Sequence, residues 1–526
     1  MEPLKKLRYA GSCATKKTGT LAFLRFIVNG MLLLPAFGAF ALPGGIPEAE
    51  FVKPSPEKRP ETYFFFFGGN VAAPGITADL EAVKAAGISG IKLFNGNNGR
   101  GAWPGVPEQV VCLSPEWDRL VGHFGSECER LGLKMAMQVC PGWAMAGGPW
   151  IKPENAMRHL AMSRLDVEGG RKVRLTLPQP PGTGADWQDW RDIAVVAFPA
   201  PDGDWGKPLA PASVTGTVKA DWNAWMRGRG AVQIPANTTL KITYTFPKPV
   251  TVRTLEMPSV KSLAAVTKSF DPGTTVSLVA PCDVAGGPRP VTVPADGTNS
   301  VPPHVITLVE EVALPPSSWQ DARTCSLACR ETTSRSFVLT VKNKHPVSLR
   351  TVRLLSAAKK DNWEGEACWT LRNLLHRQPP KQSKSAWVQA ASVVNLSRGM
   401  DRDGTLSWDA PAGRWTVLRI GHVNTGVKNI PAPPEGTGFE CDKLSAKAAD
   451  VQFDAYIGRL TAAKAPLQGK LRAMLMDSWE CSQQTWTPGL DAVFSSRLGY
   501  GLFTWIPAVF GYVVDSPDDT ARFLND

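Results

Sequence analysis

The residues with the clearest chemical potential are Asp477-Ser478-Trp479-Glu480, which close the apolar run 471–476. Glycosidic bond cleavage takes two carboxyl groups, one to protonate the leaving oxygen and one to act as base or nucleophile. An indole beside a glutamate disfavours the charged carboxylate and so suits it to proton donation. Glu480 is therefore the candidate general acid, with Asp477 and Trp479 as substrate contacts. The alternative is an ordinary salt-bridged carboxylate at a strand end. Glu440 and Asp442 lie in a Gly/Pro-rich loop before a helix starting at Ser445. They would contact substrate or a hard cation such as Ca2+, or merely sit in the favourable field of the helix N-terminus. Asn70, Asn95, Asn97 and Gln138 end successive strands and could grip sugar hydroxyls, although Asn also serves turns by tolerating the left-handed conformation. Trp103, Trp143 and Trp150 follow the second and third strands and offer stacking faces, or plain loop packing.

The elements that must position these groups are readable. Residues 63–67 (Tyr-Phe-Phe-Phe-Phe) form a continuous apolar run, the pattern of a strand buried on both faces. A helix follows with Thr77 as N-cap and Gly87 as stop, then a strand over 90–94. Ser114-Pro115 opens a second helix reaching about Leu131, and 134–139 is a third strand. Three strand–helix units in a row predict a parallel sheet with crossover helices, and the absence of a dinucleotide glycine fingerprint favours a (β/α)8 barrel. From 165 to 412 short β-rich runs alternate with Pro, Gly and Asn clusters, the texture of an inserted all-β sandwich. The α/β texture resumes with strands at 415–420 and 471–476, and a helix from Ser445 places Phe453, Ile457 and Leu460 on one face. The expected organisation is thus an α/β plus all-β chain: export signal 1–41, linker 42–60, first barrel part 61–164, β-sandwich 165–412, barrel continuation 413–526.

Composition sets outer limits. With 43% hydrophobic and 20% charged residues the 526-residue chain is globular and too long for one ordinary domain. Residues 1–41 carry a basic start, an apolar stretch and a final Ala39-Phe40-Ala41, a cleavable leader pattern too short in its clean apolar part to span a bilayer. The expected location is periplasmic or extracellular, with no stable membrane insertion after cleavage. Removing that segment, with six basic residues and one acidic, lowers the net charge from +11 to +6, and no basic stripe with interleaved aromatics suggests nucleic acid. Ten dispersed cysteines make no disulfide framework, so most are expected as buried thiols, and no HExxH, GxSxG or P-loop occurs.

The segments 63–70 (YFFFFGGN), 75–80 (GITADL), 103–108 (WPGVPE), 113–117 (LSPEW), 140–143 (CPGW) and 147–150 (GGPW) together resemble glycoside hydrolase family 106, as do 432–434 (APP), 438–442 (GFECD), 477–480 (DSWE), 486–488 (WTP) and 499–500 (GY). They occur in the family's order across both α/β parts; the intervening β region matches only in texture. The resemblance implies an α-L-rhamnosidase acting on an oligo- or polysaccharide, with a catalytic (β/α)8 barrel, a calcium requirement and inversion at the anomeric carbon. It also implies Glu480 as a catalytic carboxylate, most simply the acid. The pattern departs at Gln138-Val139, where the family often carries His-Asn, and at Gly501, where it often carries Asp. Only about five barrel strands are countable before Asp526, so the chain is expected to be a fragment or truncated member, with the second carboxylate beyond the end and its own activity in question. A non-catalytic carbohydrate-binding role is the competing expectation.

Overall fold

The computed structural model describes residues 48–97, 101–104, 108–180, 188–262, 273–281, 305–315, 323–372 and 375–526. The expected export signal lies outside them. Residues up to Arg59 form a unit of their own, described as a helix Glu48–Val52 and a 3-10 turn Pro56–Lys58 joined by a Lys58–Glu50 ion pair. The second unit, from Pro60 on, carries all candidate site residues.

In chain order the second unit begins with β1 (Glu61–Phe67), α1 (Ala73–Ala85), β2 (Gly90–Gly96), α2 (Pro115–Leu131) and β3 (Lys134–Gln138). The longer strands β4 (Arg158–Glu168), β5 (Arg191–Pro199), β6 (Thr238–Met257), β7 (Thr274–Pro281), β8 (Val305–Ala313), β9 (Cys325–Asn343) and β10 (Arg414–Asn424) follow. The chain closes with α3 (Ala446–Phe453), β11 (Leu471–Leu475), α4 (Leu490–Leu498) and α5 (Pro517–Asn525).

Strands β1, β2, β3 and β11 form one parallel sheet in that order. Its helix-facing side is set by alternation. Phe64, Phe66, Ile91, Leu93, Met135 and Met137 pack against α2, which turns Trp117, Leu120, Val121, Phe124 and Cys128 inward at helical spacing. Each fully buried ring or branched side chain there contributes about 2 kcal/mol of burial free energy. Ser114 caps α2 by accepting from Trp117 N at 3.2 Å, as expected, and Gly132 ends it in the left-handed region. Thr77 does not cap α1: the helix starts four residues earlier with Pro74 in its first turn, and the Thr77 hydroxyl meets His123 Nε2 at 3.0 Å. Pro74 can open a helix because its missing N–H would be unpaired there anyway.

The parallel sheet is less enclosed than its sequence suggests. Phe66 is the one fully buried residue of β1, and in β11 Arg472, Ala473 and Met474 are exposed, because these two strands are the sheet's edges. No closed barrel is present among the described residues. β10, expected among the parallel strands, is the centre of an antiparallel sheet between β4 and β5, with residues 394–395 on the far side of β5. Its unbroken burial is what the sequence registers, and burial on both faces does not encode strand direction. That sheet draws on residues either side of both 165 and 412, so the β-rich region shares hydrogen bonds with its flanks.

Between them lies a six-stranded antiparallel sheet, in which β8, β7, β9, β6 and the strand Arg353–Leu355 run in sequence and Ser213–Gly216 pairs with β6. A three-stranded sheet from Val232–Ile234, Val347–Leu349 and Lys261–Ser262 shares its core, which includes Ile234, Leu240, Leu255, Phe337 and Leu349. The eight described cysteines are all free thiols. No described helix is long and apolar enough to cross a membrane.

Candidate functional site

All four parallel strands end on one edge; Asn95 and Gln138 lie at the ends of β2 and β3, and the other candidates lie in the segments that follow β1, β2, β3 and β11 or in the 429–442 loop. In α/β folds this carboxyl edge is where side chains of separate loops converge without disturbing the core. The loop after β3 is pinned to the 429–442 loop by a two-residue bridge, Gly147–Gly148 against Phe439–Glu440. Close backbone approach demands glycine there: a Cβ on Gly438 would stand 1.9 Å from the Gly148 carbonyl oxygen. Buried Asn429 stitches the same loops, donating to Gly147 O at 3.1 Å and Gly436 O at 3.0 Å while accepting from Gly438 N at 2.9 Å.

Glu440 is fully buried. One carboxylate oxygen, Oε2, accepts from Ala146 N at 3.0 Å and from Lys443 Nζ at 2.7 Å, while Oε1 is buried without a partner. Lys443 also donates to Cys441 O at 3.2 Å and lies 5.4 Å from the centroid of the Trp479 ring. Burial alone would depress the Lys443 ammonium, but the Glu440 carboxylate together with the neighbouring Cys481 and Cys441 holds the group above its ordinary value. Lys443 thus ties the 440 loop to the loop carrying Glu480, and no sequence motif singled it out. Its three-residue spacing from Glu440 was the available signal.

Asp442 is buried and saturated: Oδ1 accepts from Leu444 N at 3.0 Å and from Gln484 Nε2, and Oδ2 accepts from Thr487 Oγ1 at 2.8 Å. Both acidic residues of this loop therefore organise backbone rather than face solvent. As a calcium set they fit poorly. Lys443 already supplies a cation to Glu440, and Asp442 has a donor on each oxygen. Among the described residues no three His, Cys, Asp or Glu side chains gather as metal ligands.

The 476–484 loop is anchored at both ends. Val139 N donates to Leu475 O at 3.0 Å, and Thr485 N donates to Arg158 O at 3.2 Å, with Leu160 N donating to Thr485 Oγ1 at 2.9 Å. Between these anchors Trp479 donates its indole N–H to Ser482 O, Asp477 is half-buried with no described hydrogen bond or ion pair, and Glu480 is exposed. Glu480 is thus presented to solvent rather than sunk in an apolar pocket, and the Trp479 ring is engaged with Lys443.

Strand parity separates the remaining candidates. Gln138 and Trp143 share the sheet face opposite the helices. Trp143 stacks on Phe65 at 5.7 Å and meets Phe94 at 5.4 Å, and Gln138 donates to Trp143 O at 3.4 Å with its Oε1 buried and unpartnered. Asn95 points the other way, into the helix layer, where it accepts from Trp117 Nε1 at 2.8 Å and donates to the Tyr456 hydroxyl at 2.9 Å. Trp150 is on that side too, stacked on Tyr456 at 5.7 Å and donating to Gln452 Oε1 at 2.8 Å. Asn70 is used by its own loop, accepting from Trp103 N at 2.8 Å and donating to Phe67 O at 3.0 Å. The expected grips at Asn70 and Asn95 are therefore structural, because their hydrogen-bonding capacity is spent inside the fold. Trp143 and Trp150 do not form one stacking platform. Cys140, Cys441 and Cys481, near Glu440, are buried thiols pushed up to about 12, 11 and 11, chiefly by desolvation, which removes thiolate nucleophiles from consideration.

The chain is 27% identical over 507 residues to a curated Formosa agariphila protein named "Putative beta-glucuronidase", covering 96% of this chain and 30% of that protein. It superposes on the rhamnosidase structure from Novosphingobium sp. PP1Y with a TM-score of 0.70 and 26% identity, covering 91% of this chain and 44% of the other. The chain thus spans under half the length of either relative. Residues 52–526 match the alpha-L-rhamnosidase family model, so the chain belongs to glycoside hydrolase family 106.

Proposed function

We propose that this chain carries sugar-cleaving machinery for terminal α-L-rhamnosyl linkages, working with inversion on a (β/α)-barrel-type scaffold with a β-sandwich insertion. Glu480 is the general acid. The observation that carries the reading is its position: an exposed carboxyl at the carboxyl edge of a parallel sheet, on a loop anchored at both ends, in a chain of this family. In the reaction the Glu480 carboxyl gives its proton to the glycosidic oxygen as the C1–O bond breaks, and water attacks C1 from the opposite face. A base carboxylate about 6.5–9.5 Å from the acid takes the water's proton. Glu440 and Asp442, locked in buried contacts, position loops and are not that base. Asp477 and Trp479 flank the acid in sequence, and Trp143, stacked on Phe65 and held by Gln138, is the aromatic candidate for a substrate contact.

The test is hydrolysis of an aryl α-L-rhamnoside by wild type and E480Q, with calcium and with chelator because the resemblance implies a calcium requirement. Turnover lost in E480Q supports the assignment; an unchanged rate defeats it. The name of the Formosa relative favours a second reading, a β-glucuronide substrate, which an aryl β-glucuronide run alongside would reveal. If neither sugar is cleaved but glycan is bound, the non-catalytic reading holds. We further assign residues 1–41 as an export signal; mature protein recovered from the periplasm or medium would begin at Leu42.

A further inference from the structure

Far along the chain from Glu480, the antiparallel region holds a cavity of about 360 Å3. Leu209, Trp225, Met226, Tyr244 and Phe246 are among its walls. Polar atoms of the walls are already used within the protein: Trp225 Nε1 donates to Leu349 O at 3.0 Å, the Tyr244 hydroxyl to Val352 O at 3.2 Å, and Thr351 Oγ1 to Trp225 O. The walls are thereby fixed in place: Trp225, Tyr244 and Phe246 are almost wholly buried behind the cavity, and half-buried Leu209 and Met226 supply its C–H surface. The free donors are at the mouth. Arg227 and Arg353 line this cavity, and an adjoining one that shares Gly228, Thr351 and Arg353 adds Arg350. All three arginines are exposed. The guanidinium groups of Arg227 and Arg350 have no described hydrogen bond or ion pair, and Arg353 has a 3.3 Å contact with Glu256, the lone carboxylate lining either cavity.

We propose that this is a second carbohydrate site, distinct from the Glu480 edge, that takes a sugar bearing an anionic group. An apolar pocket of this size suits a small ring seated by its C–H face. Planar guanidinium forks at the rim match a carboxylate or sulfate ester in two-point hydrogen bonding. Three arginines against one glutamate leave the mouth positive, so a neutral sugar would leave its strongest donors unused. The choice of a sugar rests on family membership alone and not on Glu480 being catalytic. The shared chemistry is a glycan anion, whose source is a uronate or a sulfate ester.

The experiment uses the full chain and titrates three oligosaccharides of equal length: an oligogalacturonate, a sulfated carrageenan oligomer and a neutral xylo-oligosaccharide, each at low and high salt. Wild type should bind one of the anionic probes at least tenfold more tightly than the neutral one, with the preference shrinking in salt. The identity of the better probe tells uronate from sulfate. R227A/R353A should lose that tenfold preference at unchanged Tm, since both side chains are exposed, and E480Q should bind as wild type does. Equal affinity for charged and neutral probes, no binding of any, or full preference in R227A/R353A would overturn the proposal. Binding retained in E480Q while hydrolysis fails would separate this site from the catalytic assignment.

Discussion

Lys443 and Glu440 form a buried ion pair, 2.7 Å apart with less than a tenth of either side chain exposed. Removing one partner of such a pair leaves an uncompensated charge in the interior, at a cost of about 3–5 kcal/mol. K443M should therefore lower Tm sharply, and K443M/E440Q should recover part of the loss by discharging both sites. Equal destabilisation of the single and double variants would contradict this.

The same pair has a pH signature. Lys443 is held above its ordinary value of 10.5, so its contribution to stability is complete below that pH and lost as pH rises through the folded value. The gap in urea midpoint between wild type and K443M should be constant from pH 7 to 10 and close at more alkaline pH.

At the acid end, His159 and His422 are both held down to about 4, first by burial and then by neighbouring arginines, Arg323 and Arg158 respectively. Unfolded chains bind those protons near 6.5, whereas the folded protein does not until about 4. Stability from this source is present above pH 6.5 and falls progressively toward pH 4. Denaturant midpoints measured across pH 4–7 should show that decline, and H159Q should flatten part of it.

For Glu480 the informative variable is leaving-group ability. General acid catalysis is worth about 10²–10⁴-fold when the departing oxygen needs a proton. E480Q should lose that much on a rhamnosyl disaccharide and far less on a dinitrophenyl rhamnoside. A uniform loss on both would indicate a positioning role.

Asn95 is predicted to matter for stability and not for substrate. N95A strands the Trp117 indole N–H and the Tyr456 hydroxyl, a penalty of about 1–3 kcal/mol for each buried group left unpaired. KM should not move in the folded fraction. G438A, by contrast, places a methyl on the Gly148 carbonyl, breaks the bridge that joins the two loops, and should rank among variants costing more than about 4 kcal/mol.

Local signals served the α/β start well. Ser114-Pro115 and Gly87 act through single-residue geometry, so they mark element ends without knowledge of the rest of the fold. Thr77 failed as a cap because Pro74 offered an earlier start. β10 read as a parallel strand because its composition reports burial, while its antiparallel neighbours β4 and β5 come from more than 200 residues upstream.

By itself the sequence determined that strand–helix units alternate at the start, that a β-rich region follows, that Asp477–Glu480 closes a strand, and which family's words the chain carries. These are local facts, set by periodicity, capping and short motifs. Tertiary structure alone decided that Asn95 turns into the helix layer while Gln138 faces away from it, that Glu440 is neutralised by Lys443, and that Asp442 is saturated by Gln484 and Thr487. Each depends on which face a strand residue takes or on partners contributed by other loops. Hydrogen bonds and ion pairs between segments far apart in the chain leave no periodic trace in either segment.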